Sequence, residues 1–114
     1  MDFFVDENVL TSSTDLDGNI TYASEAFCEI SGYTKDELIG QNHRIIRHSD
    51  MKESTYKELW ETITSGKTWK GEIKNKKKNG DYYWVKASIS PVFDNKGKII
   101  SYTAVREDIT DKKI

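Results

Sequence analysis

The sequence predicts an α+β fold: a five-stranded antiparallel sheet with helices covering one face and a ligand cavity between them. Three observations predict it. The hydrophobic pattern runs strand, strand, several short helices, one longer helix, then three strands. Residues 69–76 place uncharged side chains at every odd position and charged ones at every even position, the period of a strand with two unlike faces. Tyr56, Leu59, Trp60 and Ile63 recur at helical spacing.

The elements follow in order. "DFFVDENVL" at the start is expected to form an amphipathic arm or cap helix over residues 1–8, with Phe3, Phe4 and Val5 as its apolar face. Thr11 to Thr14 form a strand, Asp15 to Gly18 supply turn chemistry, and Ile20 to Ala23 form the returning strand. Ser24 is suited to cap the helix "EAFCEIS", and Gly32 to end it. Thr34 caps a shorter helix, "KDELIG", closed by Gly40. In "DMKESTYKELWETITSG" the Asp50–Glu53 spacing is that of a capping box in its aspartate form, and Gly66 is the stop. Three strands follow, "TWKGEIKNKKK", "DYYWVKASISPVF" and "KIISYTAVREDIT", joined by turns at Asn79-Gly80 and Asp94 to Gly97.

Alternation assigns faces on the long strands. Trp69, Gly71, Ile73 and Asn75 share one face, and Tyr83, Val85, Ala87 and Ile89 share the facing set, so the odd positions point inward. Asn75 is then a polar side chain on an apolar face and needs a partner, either a ligand or a backbone group. Trp84 has the opposite parity and is expected to face a partner surface or the N-terminal arm.

Composition excludes several classes. The 114 residues make one domain, 36 % hydrophobic and 32 % charged. A net charge of −2 argues against a general nucleic-acid binder, and the run Lys74–Lys78 reads as a solvated strand face. One cysteine, Cys28, allows no intrachain disulfide and reads as a packed residue. No stretch has the length of a membrane span, and the acidic start does not read as a signal peptide. The expected location is cytoplasmic, either free or as the cytosolic part of a membrane-bound receptor.

Both histidines lie in "NHRIIRHSDM". His43 and His48 with Asp50 as orienter would make a base cluster, but nothing supplies a nucleophile, so the chain is not read as an enzyme. Their spacings of five and two match no zinc pattern. Asp50 as a helix cap accounts for the aspartate without a ligand.

The strings "TDLDGNITYASEAFCEISGYTKDELIGQN" and "YKELWETITSGKTWKGEIKNKKKNGDYYWVKASISPV", with "DIT" at Asp108 to Thr110, resemble a PAS domain over residues 9–110. Within that family the chain is most similar to the flavin-binding domains of aerotaxis receptors. Their Arg-His-Pro-Asp-Met-Pro segment reads "RHSDMK" here, with Ser49 and Lys52 in place of both prolines, and their Pro-Trp-x-Gly reads "TWKG". The blue-light LOV branch carries Gly-x-Asn-Cys-Arg-Phe-Leu, and the matching residues are Gly40, Asn42, His43, Arg44, Ile45 and Ile46. Histidine stands where the adduct-forming cysteine would be, so the resemblance implies no adduct photochemistry.

The resemblance implies a sensory domain that binds FAD, with FMN or haem as alternatives, and signals redox, oxygen or energy status. A cofactor-free dimerisation or small-ligand module is the other reading. Trp69, Tyr83 and Ile73 would wall the ring, and Asn75 would meet its polar edge. Arg47 and His48 would hold the polar tail, assisted by Asp50 and Trp60. Arg106 matches the LOV glutamine on the last strand, where it would stabilise an anionic reduced flavin; read from the residues alone, it pairs with a carboxylate at the sheet end. The expected partners are a homodimeric copy and a C-terminal effector of chemoreceptor, kinase or cyclase type, reached through a linker starting at 111–114. Nucleic acid and direct membrane insertion are not expected.

Overall fold

A computed structural model describes residues 9–113. The expected arm at residues 1–8 lies outside the described residues. The sheet contains β1 (Val9–Thr14), β2 (Ile20–Ala23), β3 (Trp69–Lys76), β4 (Tyr82–Phe93) and β5 (Ile99–Asp108), in the order β2-β1-β5-β4-β3. Every pairing is antiparallel. Between β2 and β3 the chain forms α1 (Glu25–Ser31), α2 (Lys35–Leu38), a 3₁₀ turn over His43–Ile46 and α3 (Glu53–Thr64). These elements pack on one face of the sheet. The core between the layers is built from Phe27, Leu38, Ile46 and Ile63 above and Ile20, Tyr83 and Val85 below, all buried.

The local signals account for most of these elements. The Ser24 hydroxyl accepts from the Phe27 N–H as a cap and also from the Thr11 N–H, so it fastens α1 to β1. Gly32 ends α1 at φ 81°, a left-handed conformation suited to glycine. Thr34 and Glu37 form a complete capping box on α2. Trp69, Ile73 and Asn75 are buried on β3, as are Tyr83, Val85 and Ala87 on β4, which is the inward set that alternation predicts.

The expectations for Asp50 and for the lysine run at 74–78 need correction. Asp50 does not cap the long helix: the N-cap is Lys52, with no side-chain hydrogen bond, and α3 starts at Glu53. The Asp50 carboxylate instead reaches across to Lys74 Nζ on β3 at 2.7 Å. An exposed aspartate close to a lysine is drawn to that charge, and the lysine holds its carboxyl below the usual range. Trp84 is half-buried beside the chain's own exit from β5, and the arm expected to face it lies outside the described residues. Lys113 Nζ lies 4.7 Å from its ring centre and binds Glu72 at 2.9 Å. The run at 74–78 is not wholly solvated either, since Lys74 pairs with Asp50 and Lys78 with Glu37.

Candidate functional site: an apolar cavity with one charged end

The helices stand off the sheet far enough to leave a cavity of about 80 Å³. Ile46, Leu59, Ile63, Ile73 and Ile89 give it apolar walls; Ser12, His43, Asn75 and Arg106 give it a polar end. Its outer side adjoins an open cleft of about 410 Å³ bearing Asp17, Arg44, Glu53 and Lys57. Arg47, Tyr56 and Trp60 line both spaces and so form the partition between them. The Trp60 ring meets Tyr102 edge-on and lies against Gly18, where a Cβ would come within 3.1 Å of it.

Asn75 is 3 % exposed and stands opposite Tyr83 on the β3–β4 ladder. The Tyr83 hydroxyl is buried with no hydrogen-bond partner; Asn75 bears on its ionisation without reaching it in hydrogen-bonding geometry. Burial pushes that hydroxyl up to about 12, against the opposing pull of Arg106. The backbone of Arg47 pairs with Asn75 in an isolated bridge, so the segment after the 3₁₀ turn is pinned to β3. The Arg47 guanidinium lies 3.8 Å from the centre of the Tyr56 ring. The Tyr56 hydroxyl is a second buried polar atom without a partner.

At the charged end, Arg106 Nη2 lies 2.7 Å from His43 Nε2, and Nη1 reaches the Leu10 carbonyl at 3.5 Å. A guanidinium only donates, so His43 accepts at Nε2 and carries its hydrogen on Nδ1. Both groups rest on Phe27: the imidazole stacks at 5.8 Å and the guanidinium lies 5.1 Å from the ring centre. His43 retains some accessible surface, as a cavity-lining residue does, but its ring sits deep among protein atoms. Burial pushes its pKa down to about 3, and the charges of Arg106 and Arg47 push the same way. Burial also lowers Arg106 to about 10, which leaves it charged at neutral pH.

Of the eight residues expected at the site, the structure brings Arg47, Trp60, Asn75 and Arg106 to the cavity. Trp69 is buried but its ring folds over Gly71, where a Cβ would meet it at 2.6 Å; Tyr83 lies on the rung opposite Asn75, outside the cavity wall. His48 and Asp50 sit in the outer loop, where His48 Nδ1 accepts from the Asp50 N–H at 3.0 Å. Arg106 has no carboxylate partner among the described residues, contrary to the reading from its position alone. His43 was not among the eight. The signal for it was present, because it matches the LOV position that faces the ring. Among the described residues no three His, Cys, Asp or Glu side chains are placed to hold a metal ion, and no helix is long and apolar enough to cross a membrane.

A family model described as the PAS fold matches residues 20–106. The chain belongs to the PAS family. This PAS domain is similar to the aerotaxis receptor of Escherichia coli, with 43 % identity over 109 residues, covering 96 % of this chain and 21 % of that protein. It is 36 % identical over 103 residues to the nitrogen fixation regulatory protein of Klebsiella pneumoniae, covering 90 % of this chain and 21 % of the relative. The chain thus spans about a fifth of the length of these curated relatives. Among solved structures, an RNA-binding light-oxygen-voltage receptor superposes with a TM-score of 0.85 at 24 % identity, over 94 % of this chain and 31 % of that one. A light-oxygen-voltage domain studied with a flavin analogue superposes at 0.84 and 22 % identity, over 90 % and 78 %. These structural likenesses establish the PAS fold.

Proposed function

We propose that this PAS domain is a sensory module that holds a flavin, FAD in preference to FMN, between the sheet and the helices. It reports redox, oxygen or energy status to an effector placed C-terminally in the same protein. The observation that carries the reading is the pair of buried polar residues, Asn75 and Arg106, on strands either side of β4 in an otherwise apolar cavity. A flavin ring has apolar faces and a polar edge, and it would supply reversible electron uptake. The isoleucines suit its faces; Asn75 and Arg106 suit its edge. Arg47, with Arg44 and Lys57 in the adjoining cleft, suits an anionic tail. The preference for FAD rests on the resemblance of the motifs "RHSDMK" and "TWKG" to the flavin-binding domains of aerotaxis receptors.

The donor set fits the group in its chemistry. The space is tighter: about 80 Å³ is well below the roughly 300–1,000 Å³ of pockets that enclose drug-sized ligands. The reading therefore requires Trp60, half-buried in the partition, to give way when the ring is held. Haem suits the donors less well, since His43 Nε2 is taken by Arg106 and His48 lies outside the cavity.

Output would leave through the end of β5. The Thr110 hydroxyl accepts from the Trp84 N–H, Asp108 accepts from the Thr110 N–H, and Lys113 binds Glu72. Residues 9–110 are the sensor unit in this reading, and 111–114 begin the linker. The domain would act in the cytoplasm as a homodimer, for which exposed Val92, Phe93, Ile100 and Val105 offer apolar surface. The absorbance spectrum of the purified protein tests the reading. Blue absorbance, FAD on extraction and loss of colour in Asn75→Ala are expected. A Soret band would reassign the ligand to haem, and a colourless protein that takes up no added FAD would reduce it to a cofactor-free module.

A further inference from the structure

Arg106 is 4 % exposed, and among the described residues no carboxylate lies within ion-pair distance of it. A buried cation without an anion is costly, and the protein ordinarily compensates one with a carboxylate. Here the three groups that meet the guanidinium are all uncharged: the His43 imidazole, the Leu10 carbonyl and the face of Phe27. The same guanidinium lines the cavity.

We propose that neutral His43 is an exchangeable acceptor for Arg106, and that a flat ligand bearing negative charge on one edge displaces it from the guanidinium. His43 is thus a positioning residue that holds Arg106 at the cavity until an anion arrives. The proposal deepens the flavin reading by naming the charge state of the ring edge that the cavity selects. It rests on that reading for the ligand's identity but not for the exchange.

Three features support the exchange. An anion adds direct Coulombic attraction to the hydrogen bond and can take two guanidinium N–H groups at once, so a charged edge outcompetes an imidazole that offers one lone pair. His43 is held independently of Arg106, by the stack on Phe27 and by the 3₁₀ turn that Asn42 caps, and the Ser12 hydroxyl, 3.3 Å from Nε2, is placed to donate there once the guanidinium leaves. It can therefore stay in place when the guanidinium turns away. The charged groups facing the imidazole are Arg106 from β5 and Arg47 at the end of the 3₁₀ turn, both positive. An anion that engages Arg106 neutralises the larger of these two and relieves part of the pressure on His43.

The test uses the purified protein and two probes of one shape, benzoate and benzamide, with the His43 ring followed by nitrogen-15 NMR. Benzoate is expected to bind about tenfold more tightly than benzamide, since its carboxylate adds an ion pair with the guanidinium that the neutral amide lacks. On benzoate binding the Nε2 signal should lose its Arg106 bond and the His43 pKa should rise. Arg106→Gln should abolish the discrimination. His43→Gln, which keeps a neutral acceptor, should preserve it, and His43→Leu should enlarge it. Reducing the FAD-loaded protein with dithionite should shift the His43 nitrogen signals as benzoate does. Equal affinity for the two probes, no binding of benzoate, or an intact His43–Arg106 bond with benzoate bound would overturn the exchange. A protein that takes no FAD yet discriminates benzoate would keep the exchange and sink the flavin reading. One that takes FAD while the His43 nitrogen signals stay unchanged through benzoate and reduction would do the reverse.

Discussion

His43 is neutral in the folded protein because burial and two arginines disfavour its charge, with a pKa of about 3 against an ordinary value near 6.5. The unfolded chain therefore binds one more proton than the native one between those values. Stability contributed by neutral His43 is present above pH ~6.5 and falls by up to ~1.4 kcal/mol per pH unit as the pH drops toward 3. Urea midpoints at pH 7 and pH 5 should show the decline, and His43→Gln, which does not titrate, should flatten it. A second prediction concerns Gly71. A Cβ there would lie 2.6 Å from the Trp69 ring, so Gly71→Ala must expel that ring from its place over the strand. The expected loss is about 1–3 kcal/mol of unfolding free energy, with a red shift of tryptophan emission. A Gly71→Ala protein with unchanged stability and emission would mean that Trp69 does not lie there.

The elements on the helical side are held to the sheet by single side chains. Ser24 both caps α1 and accepts from the Thr11 N–H of β1. Ser24→Ala should therefore lose about 1–2 kcal/mol, toward the upper end of the range for a cap, measured by thermal or denaturant melting. Asp50 behaves differently because it caps nothing. Asp50→Ala should leave helix content by circular dichroism unchanged, and it should only loosen the loop that Lys74 ties to β3. That effect should shrink as salt is added, since the carboxylate is exposed. A drop in helicity would restore the capping role that the sequence spacing suggests.

At the scale of the whole molecule, the sheet and the helices enclose a polar set whose members are only partly satisfied among themselves. Tyr56, on the cavity wall, carries a buried hydroxyl without a partner, and Arg106 binds only neutral groups. A ligand that satisfies them binds the native state alone and stabilises it by mass action. With free FAD at a hundred times its dissociation constant, the gain should be about 2.7 kcal/mol. A melting temperature that FAD does not move would count against the cavity as its site. Arg47, Tyr56 and Trp60 stand between cavity and cleft, so the same event should change Trp60 fluorescence.

The sheet was legible because a period of two is a local property: Trp69, Ile73 and Asn75 face inward as their parity requires. Ser24, Gly32 and Thr34 were legible for the same reason, since a cap needs only its next few residues. Asp50 misled because its spacing to Glu53 suits a cap, while Lys74 lies 24 residues away and competes for the carboxylate. Trp69 and Tyr83 were assigned the right face but not the right depth. Parity says which way a side chain points, and the width of a neighbour such as Gly71 decides where its ring comes to rest. The sequence by itself determined the family, the order of elements, the inward faces and five of the cavity's residues, Arg47, Trp60, Ile73, Asn75 and Arg106. Only the tertiary structure decided that His43, from a 3₁₀ turn, would meet Arg106, 63 residues further on, instead of a carboxylate. Charge pairing at depth depends on which elements are brought together, and no local period records that.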